Sequence, residues 1–203
     1  MKSIVIITAH PEKDSLSMAN ADALESGAKK QKFSVTRFDA CAFPWVDHNP
    51  IKKGFPREFE KVVEALAGAD AIAVCCPMWN YGAPATLKNF LDGVIQSPKL
   101  FHFVPNPFLK NLVKIFPFLK TICPTAQPEG YMKARRVLCV WTADGPEWFY
   151  SFFPSHNVIF PQVKQALKFC GARGFRQKFL GMTRNRSEKA REKWLKSLET
   201  YRF

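Results

Sequence analysis

"SIVIITAHPEKDSLSMANADALESGAKK" (Ser3–Lys30) sets the fold class. Its start, Ser3 to Thr8, is rich in Ile and Val and reads as a buried strand. From Ser15 to Lys30 small and apolar residues gather on one side, the pattern of a helix, and Ser15 suits the N-cap. The same strand-then-helix order repeats along the chain. "FSVTRFD" (Phe33–Asp39) alternates as a strand, and Arg57–Leu66 follows as a helix with Phe59, Val62, Val63 and Leu66 on one face. "DAIAVCC" (Asp70–Cys76) is another buried strand, and Ala85–Ile95 a helix whose start Pro84 marks. "RRVLCVWT" (Arg135–Thr142) is a fourth strand, followed by a helix over Val158–Phe169 that Gly171 closes. "RQKFLGM" (Arg176–Met182) reads as a short fifth strand, and Ser187–Tyr201 as the last helix. Alternation of this kind demands a parallel sheet covered on both faces. Right-handed crossovers make its five strands a doubly wound α/β sheet. Ligands of such sheets bind at the carboxyl ends of the strands.

The 203 residues suffice for one sizeable domain with a real core. Apolar residues at 47% and charged residues at 23% are ordinary for a soluble globular protein. The sequence holds no run of about 18 apolar residues, so no transmembrane helix is expected. The apolar run in "MKSIVIITAH" is too short for a signal peptide and has no small-residue cleavage site, so a cytoplasmic protein is expected. The six cysteines form no CxxC pair, and no Cys/His grouping has zinc spacing. Buried free thiols and no metal site are expected. The net charge of +13 and pI of about 9.6 favour anionic partners, among them nucleotide cofactors and anionic membrane surfaces. No recognised nucleic-acid motif accompanies the charge, and nucleic-acid binding is not expected.

Three loops fall at the same edge of the expected sheet. "TAHPEKDSLSMA" (Thr8–Ala19) follows the first strand, with His10 in a His-Pro turn. The free amides of the helix start at Ser15, Leu16 and Ser17, with two hydroxyls, favour a phosphate. Neither GxxxxGK[ST] nor GxGxxG is present, so neither the nucleoside-triphosphate loop nor the usual dinucleotide fingerprint applies. "PMWNYGAPATLKNFLD" (Pro77–Asp92) crowds Met78, Trp79 and Tyr81, with Asn80 between them, at the end of the third strand, a wall suited to a flat heterocycle. "TADGPEWFYSFFPSH" (Thr142–His156) follows the fourth, with Gly145 allowing close backbone approach and with Tyr150 and His156 as proton-donating candidates. Taken singly, each of these loops is equally read as helix capping, core capping or packing.

Together these residues resemble the flavodoxin-like NAD(P)H:quinone oxidoreductases and FMN-dependent azoreductases. "AHPEKDSLSMA" is similar to their phosphate-binding turn, "DACAFPWVD" to the segment after strand two, and "ALKFCGAR" to the helix end before the last strand. "PMWNYGAPATLKNFLD" resembles the azoreductase form of the flavin-ring loop. "TADG" stands where the quinone reductases carry a TTGG-like turn, and Tyr150 and His156 keep the spacing of the Tyr and His that those enzymes place near the flavin. The resemblance covers about residues 1–96 and 128–182. It implies a flavodoxin-like fold and an enzyme that reduces a small-molecule electron acceptor, a quinone or an azo or nitro compound, by a ping-pong exchange with NAD(P)H. It implies FMN as the cofactor, with FAD left open, and a homodimer. His10, Ser15, Leu16 and Ser17 would serve the phosphate end. Pro77, Met78, Trp79, Asn80 and Tyr81 would line one side of the ring, and Thr142, Ala143, Asp144 and Gly145 the other. Tyr150 and His156 would be catalytic.

Two departures stand out. Asp144 replaces a usual Gly and puts a negative charge at the ring edge, which argues for weaker flavin binding. About residues 97–127, "SPKLFHFVPNPFLKNLVKIFPFLKTICPTAQ", look inserted into the single domain. From Ser97 to Arg136 there are seven Lys or Arg and one acid, Glu129. Phe108–Leu119 reads as a short basic amphipathic helix that Pro117 interrupts. It is either a peripheral membrane contact or a lid or dimer-packing element with its Phe residues buried. A flavodoxin-type electron carrier, a regulatory subunit of a membrane protein and a fold that has lost its flavin remain as rival classes.

Overall fold

The computed structural model describes residues 1–46, 57–121, 125–152 and 157–203. Strands β1 (Ser3–Thr8), β2 (Ser34–Asp39), β3 (Ala71–Pro77), β6 (Arg136–Thr142) and β7 (Phe175–Leu180) form one parallel sheet in the order β2-β1-β3-β6-β7. Between β3 and β6 the chain makes an antiparallel hairpin of β4 (Phe101–Pro105) and β5 (Ala126–Gly130). The helices are α1 (Leu16–Lys30), α2 (Glu60–Gly68), α3 (Ala85–Val94), α4 (Pro107–Ile115), α5 (Glu147–Phe152), α6 (Ile159–Phe169) and α7 (Glu188–Glu199).

Alternate residues of the same strands serve two cores, as the two-residue period of a strand requires. Ile4, Ile6, Ala71, Ala73, Cys75, Leu138 and Val140 face Ala21, Leu24 and Ala28 of α1 and Leu198 of α7. Val5, Ile7, Ile72, Val74, Cys76, Val137, Cys139 and Trp141 face Val62 and Leu66 of α2, Leu87 and Phe90 of α3, and Val163 and Leu167 of α6. The sheet is therefore covered on both faces, which is why all seven residues of β3 are buried and its sequence shows no polar alternation. Gly27 sets the spacing on the first face: a Cβ there would lie 2.0 Å from the Glu199 carbonyl oxygen.

The expected helix and strand ends agree with the structure to within one or two residues, except that the Arg57–Leu66 helix begins with a 3-10 turn, Arg57–Phe59. The hairpin and α5 were not expected. The helix read over Phe108–Leu119 divides where Pro117 removes a donor: α4 ends at Ile115, and Pro117–Thr121 is a 3-10 turn. No residue of α4 is buried, so Phe108, Phe116 and Phe118 do not pack on the sheet.

Cys75, Cys76, Cys139 and Cys170 are buried free thiols, and burial pushes all four upward, Cys75 and Cys170 to about 12. Cys41 is half-buried, and its thiol is also raised by burial. The thiolate is the reactive form. Iodoacetamide at pH 8 should therefore label the native protein at no described cysteine but Cys41, with peptide mass spectrometry as the readout.

Candidate functional site

The chain leaves β1 for the sheet edge at β2 and returns across β1 to β3, so a crevice opens at the carboxyl ends of β1 and β3. A cavity of about 220 Å³ lies there, lined by His10, Ser15, Leu16, Ser17, Pro77, Met78, Trp79, Thr142, Ala143, Asp144, Thr183 and Arg184. Three connections thus converge as the sequence implies, and a fourth, after β7, joins them.

Each wall has a local cause. Ser15 caps α1 by accepting the Met18 amide, and the first turn holds no acidic residue. The first amides of a helix have no partner within it, and with the helix dipole they favour an anion. Ser17 is buried, its Oγ 3.5 Å from the Thr142 hydroxyl, which ties the helix start to the end of β6. His10 accepts the Glu12 amide at Nδ1 and meets the Trp79 ring edge to face. Met78 donates its amide to the Thr142 carbonyl at 2.7 Å, fixing the β3 loop against the β6 loop.

Asn80 and Tyr81 lie off the cavity wall. Trp79 and Gly82 exchange both backbone hydrogen bonds, and Asn80 and Tyr81 both have positive φ, 48° and 63°. That is a type I′ turn, which points the two side chains outward. Tyr81 lies 6.3 Å from the rings of Phe149 and Tyr150. Gly145 and Tyr150 are also off the wall. Tyr150 lies directly over Gly145, where a Cβ would come within 2.6 Å of the Tyr150 hydroxyl, so a larger side chain here would have to displace the Tyr150 ring. His156 lies outside the described residues.

Thr183 and Arg184 had no sequence signal of their own. They reach the cavity because the β7 loop is clasped to the β6 loop. Asp144 accepts the Thr183 hydroxyl at 2.7 Å and pairs with Arg184 at 2.9 Å. Met182 donates to the Gly145 carbonyl, and Thr183 to that of Ala143. Glu147 pairs with Arg186 at 2.7 Å. The carboxylate at Asp144 is therefore compensated by a cation at the same rim.

Residues 2–201 match the family described as Flavodoxin-like fold, Flavodoxin_2. The chain belongs to this family. It is 30% identical over 100 residues to an uncharacterized NAD(P)H oxidoreductase, YcaK, of Escherichia coli (strain K12), a match covering 45% of this chain and 51% of that protein. It is 27% identical over 128 residues to an FMN-dependent NADH:quinone oxidoreductase of Leptothrix cholodnii, covering 60% and 50%. The chain spans about half the length of the curated relatives it matches. Among solved structures it resembles an NAD(P)H:quinone oxidoreductase from Methanothermobacter marburgensis, with a TM-score of 0.74, 16% identity and coverage of 97% and 92%. At that identity the likeness speaks for the fold.

Proposed function

We propose that this chain is a flavin-dependent NAD(P)H oxidoreductase that reduces quinones or related azo and nitro compounds. The observation that carries the proposal is the two-part wall of the cavity. One part is the acid-free first turn of α1 with the hydroxyls of Ser15 and Ser17. The other is the apolar surface of Pro77, Met78, Trp79 and Ala143. A phosphate and a flat heterocycle need these two parts together, and FMN carries both; FAD is the alternative. The names of the relatives support FMN and quinone chemistry.

Ser15, Leu16 and Ser17 would hold the phosphate, with Pro77–Trp79 and Thr142–Asp144 beside the ring. A bound flavin supplies two-electron chemistry, taking a hydride from NAD(P)H and passing it to the acceptor. The chain's own residues position the group and set the charge around it. Because Arg184 and Thr183 engage Asp144, no lone carboxylate faces the ring edge. A cavity of about 220 Å³ holds only part of a nucleotide-sized group, so both substrates would meet the rest at one mouth beside half-exposed Trp79. That arrangement favours substrates taking turns, the ping-pong order. The exposed ring of Trp79 at the mouth favours a homodimer that covers it. No helix among the described residues is long and apolar enough to cross a membrane, and the proposed setting is the cytoplasm.

The test is spectroscopic. The protein is equilibrated with FMN, freed of unbound ligand, and its visible spectrum recorded before and after NADPH. A retained flavin band that bleaches is expected; absence of a retained band overturns the proposal. Tyr150→Phe should slow the bleaching about tenfold or more in a stopped-flow experiment while the FMN dissociation constant stays unchanged. Adding His156→Ala should slow it further.

A further inference from the structure

The segment from β4 to Thr121 leaves a row of large apolar side chains uncovered. Phe103, Phe108, Ile115, Phe116 and Phe118 are 58%, 73%, 68%, 46% and 69% exposed. Neither α4 nor the following 3-10 turn buries a residue. Exposed apolar residues scattered singly need no explanation, but four within the eleven residues from Phe108 to Phe118 mark an interaction surface.

The charge of the arm says what kind. Lys110, Lys114 and Lys120 interleave with the apolar residues, and no Asp or Glu occurs between Phe101 and Thr121. None of the three lysines is ion-paired among the described residues. At the foot of the arm, β5 ends in the wall of a second cavity, of about 960 Å³, at the opposite end of the sheet from the candidate site. Arg135, Lys164, Lys168 and Arg173 line it, against one acid, Glu129, which faces His102 at 3.6 Å. The segment and the cavity beside it thus combine exposed apolar side chains with cations and a single acid.

We propose that this arm docks the protein on an anionic lipid membrane, with Phe108, Ile115, Phe116 and Phe118 entering the headgroup boundary and the lysines meeting lipid phosphates. A second copy of the arm is a poorer occupant, because it would bring two sets of lysines together with no carboxylate between them. Lysine stems lying along apolar surface with their ammonium groups turned to headgroups is the usual arrangement at such an interface. The arm is short, so binding is reversible and depends on the charge of the lipid. The inference rests on the surface alone and stands apart from the proposed chemistry, although lipid-soluble quinones would be met there.

The full chain, without added cofactor, is sedimented with vesicles of phosphatidylcholine containing about a third phosphatidylglycerol, and with phosphatidylcholine alone. Partitioning to the anionic vesicles should be at least about tenfold stronger, and should weaken as salt is raised. The triple variant F108S, F116S, F118S, altered only at exposed positions, should lose about tenfold in partitioning with its thermal midpoint unchanged. Equal binding to both vesicles, or full binding by the triple variant, overturns the proposal. So does a dimer in analytical ultracentrifugation that the triple variant abolishes while the parent chain ignores vesicles.

Discussion

Ser15→Asp should lower FMN affinity by at least about 100-fold and leave the folded state as stable as before. The two effects separate because one position serves two purposes. Ser15 caps α1 by accepting the Met18 amide at 3.4 Å, and Asp is an equally good cap. A carboxylate at the positive end of a helix dipole is favourable, and the first turn of α1 now carries none. For the helix alone an acid here would be an improvement. Its absence makes sense if another anion occupies the place. A carboxylate about 5 Å from a phosphate, at an effective dielectric constant near 20, repels it by about 3 kcal/mol, which exceeds the gain of any hydrogen bond it keeps. Flavin fluorescence titration gives the affinity, and a thermal melt of the flavin-free protein gives the stability. Ser15→Asn, a neutral cap, should bind FMN within severalfold of the parent. If Ser15→Asp binds as tightly as the parent, the phosphate sits elsewhere.

The layered sheet was legible because burial on two faces leaves long apolar runs. "SIVIIT", "AIAVCC" and "VLCVWT" admit little but central strands, and the helices between them have clear starts at Ser15, Pro84 and Ser187. The antiparallel hairpin was not legible. Its strands, "FHFVP" and "AQPEG", are five residues each, contain proline, and pair across an intervening helix. Two phenylalanines at alternate positions are too little periodicity to separate a strand from a loop. Three loops of the candidate site could be placed from sequence because each follows a recognisable strand. Thr183 and Arg184 could not: they enter through ion pairs and backbone bonds to the β6 loop, contacts made in space by an edge strand. The outward turn at Asn80–Tyr81 was hidden for another reason. Its φ values suit Asn-Gly, and a tyrosine in the left-handed region has no local signal. Backbone strain of this kind persists where the surroundings over-determine it.

Trp141→Ala should cost about 3–5 kcal/mol and lower the thermal midpoint by roughly 6–20 °C in a chain of this size. Trp141 is wholly buried in β6, one residue before Thr142. It packs on the face that carries α2, α3 and α6, with the Phe160 ring 6.1 Å away. Its indole donates to Gln177 of β7 at 3.2 Å, so truncation empties a large volume and also removes a cross-strand hydrogen bond. The consequence reaches the cavity through the backbone. Thr142 accepts the Met78 amide, and Ala143 donates to Leu180, so the end of β6 holds both neighbouring loops in place. FMN affinity should fall along with stability, and Trp141→Phe, which refills most of the space, should recover the greater part of both. Calorimetry and a fluorescence titration on the same samples decide it. A drop in midpoint with unchanged affinity would mean that strand register alone fixes the loops. A midpoint within about 2 °C of the parent would mean that the core closes around the missing indole, contrary to the partial relaxation usual when large buried side chains are truncated.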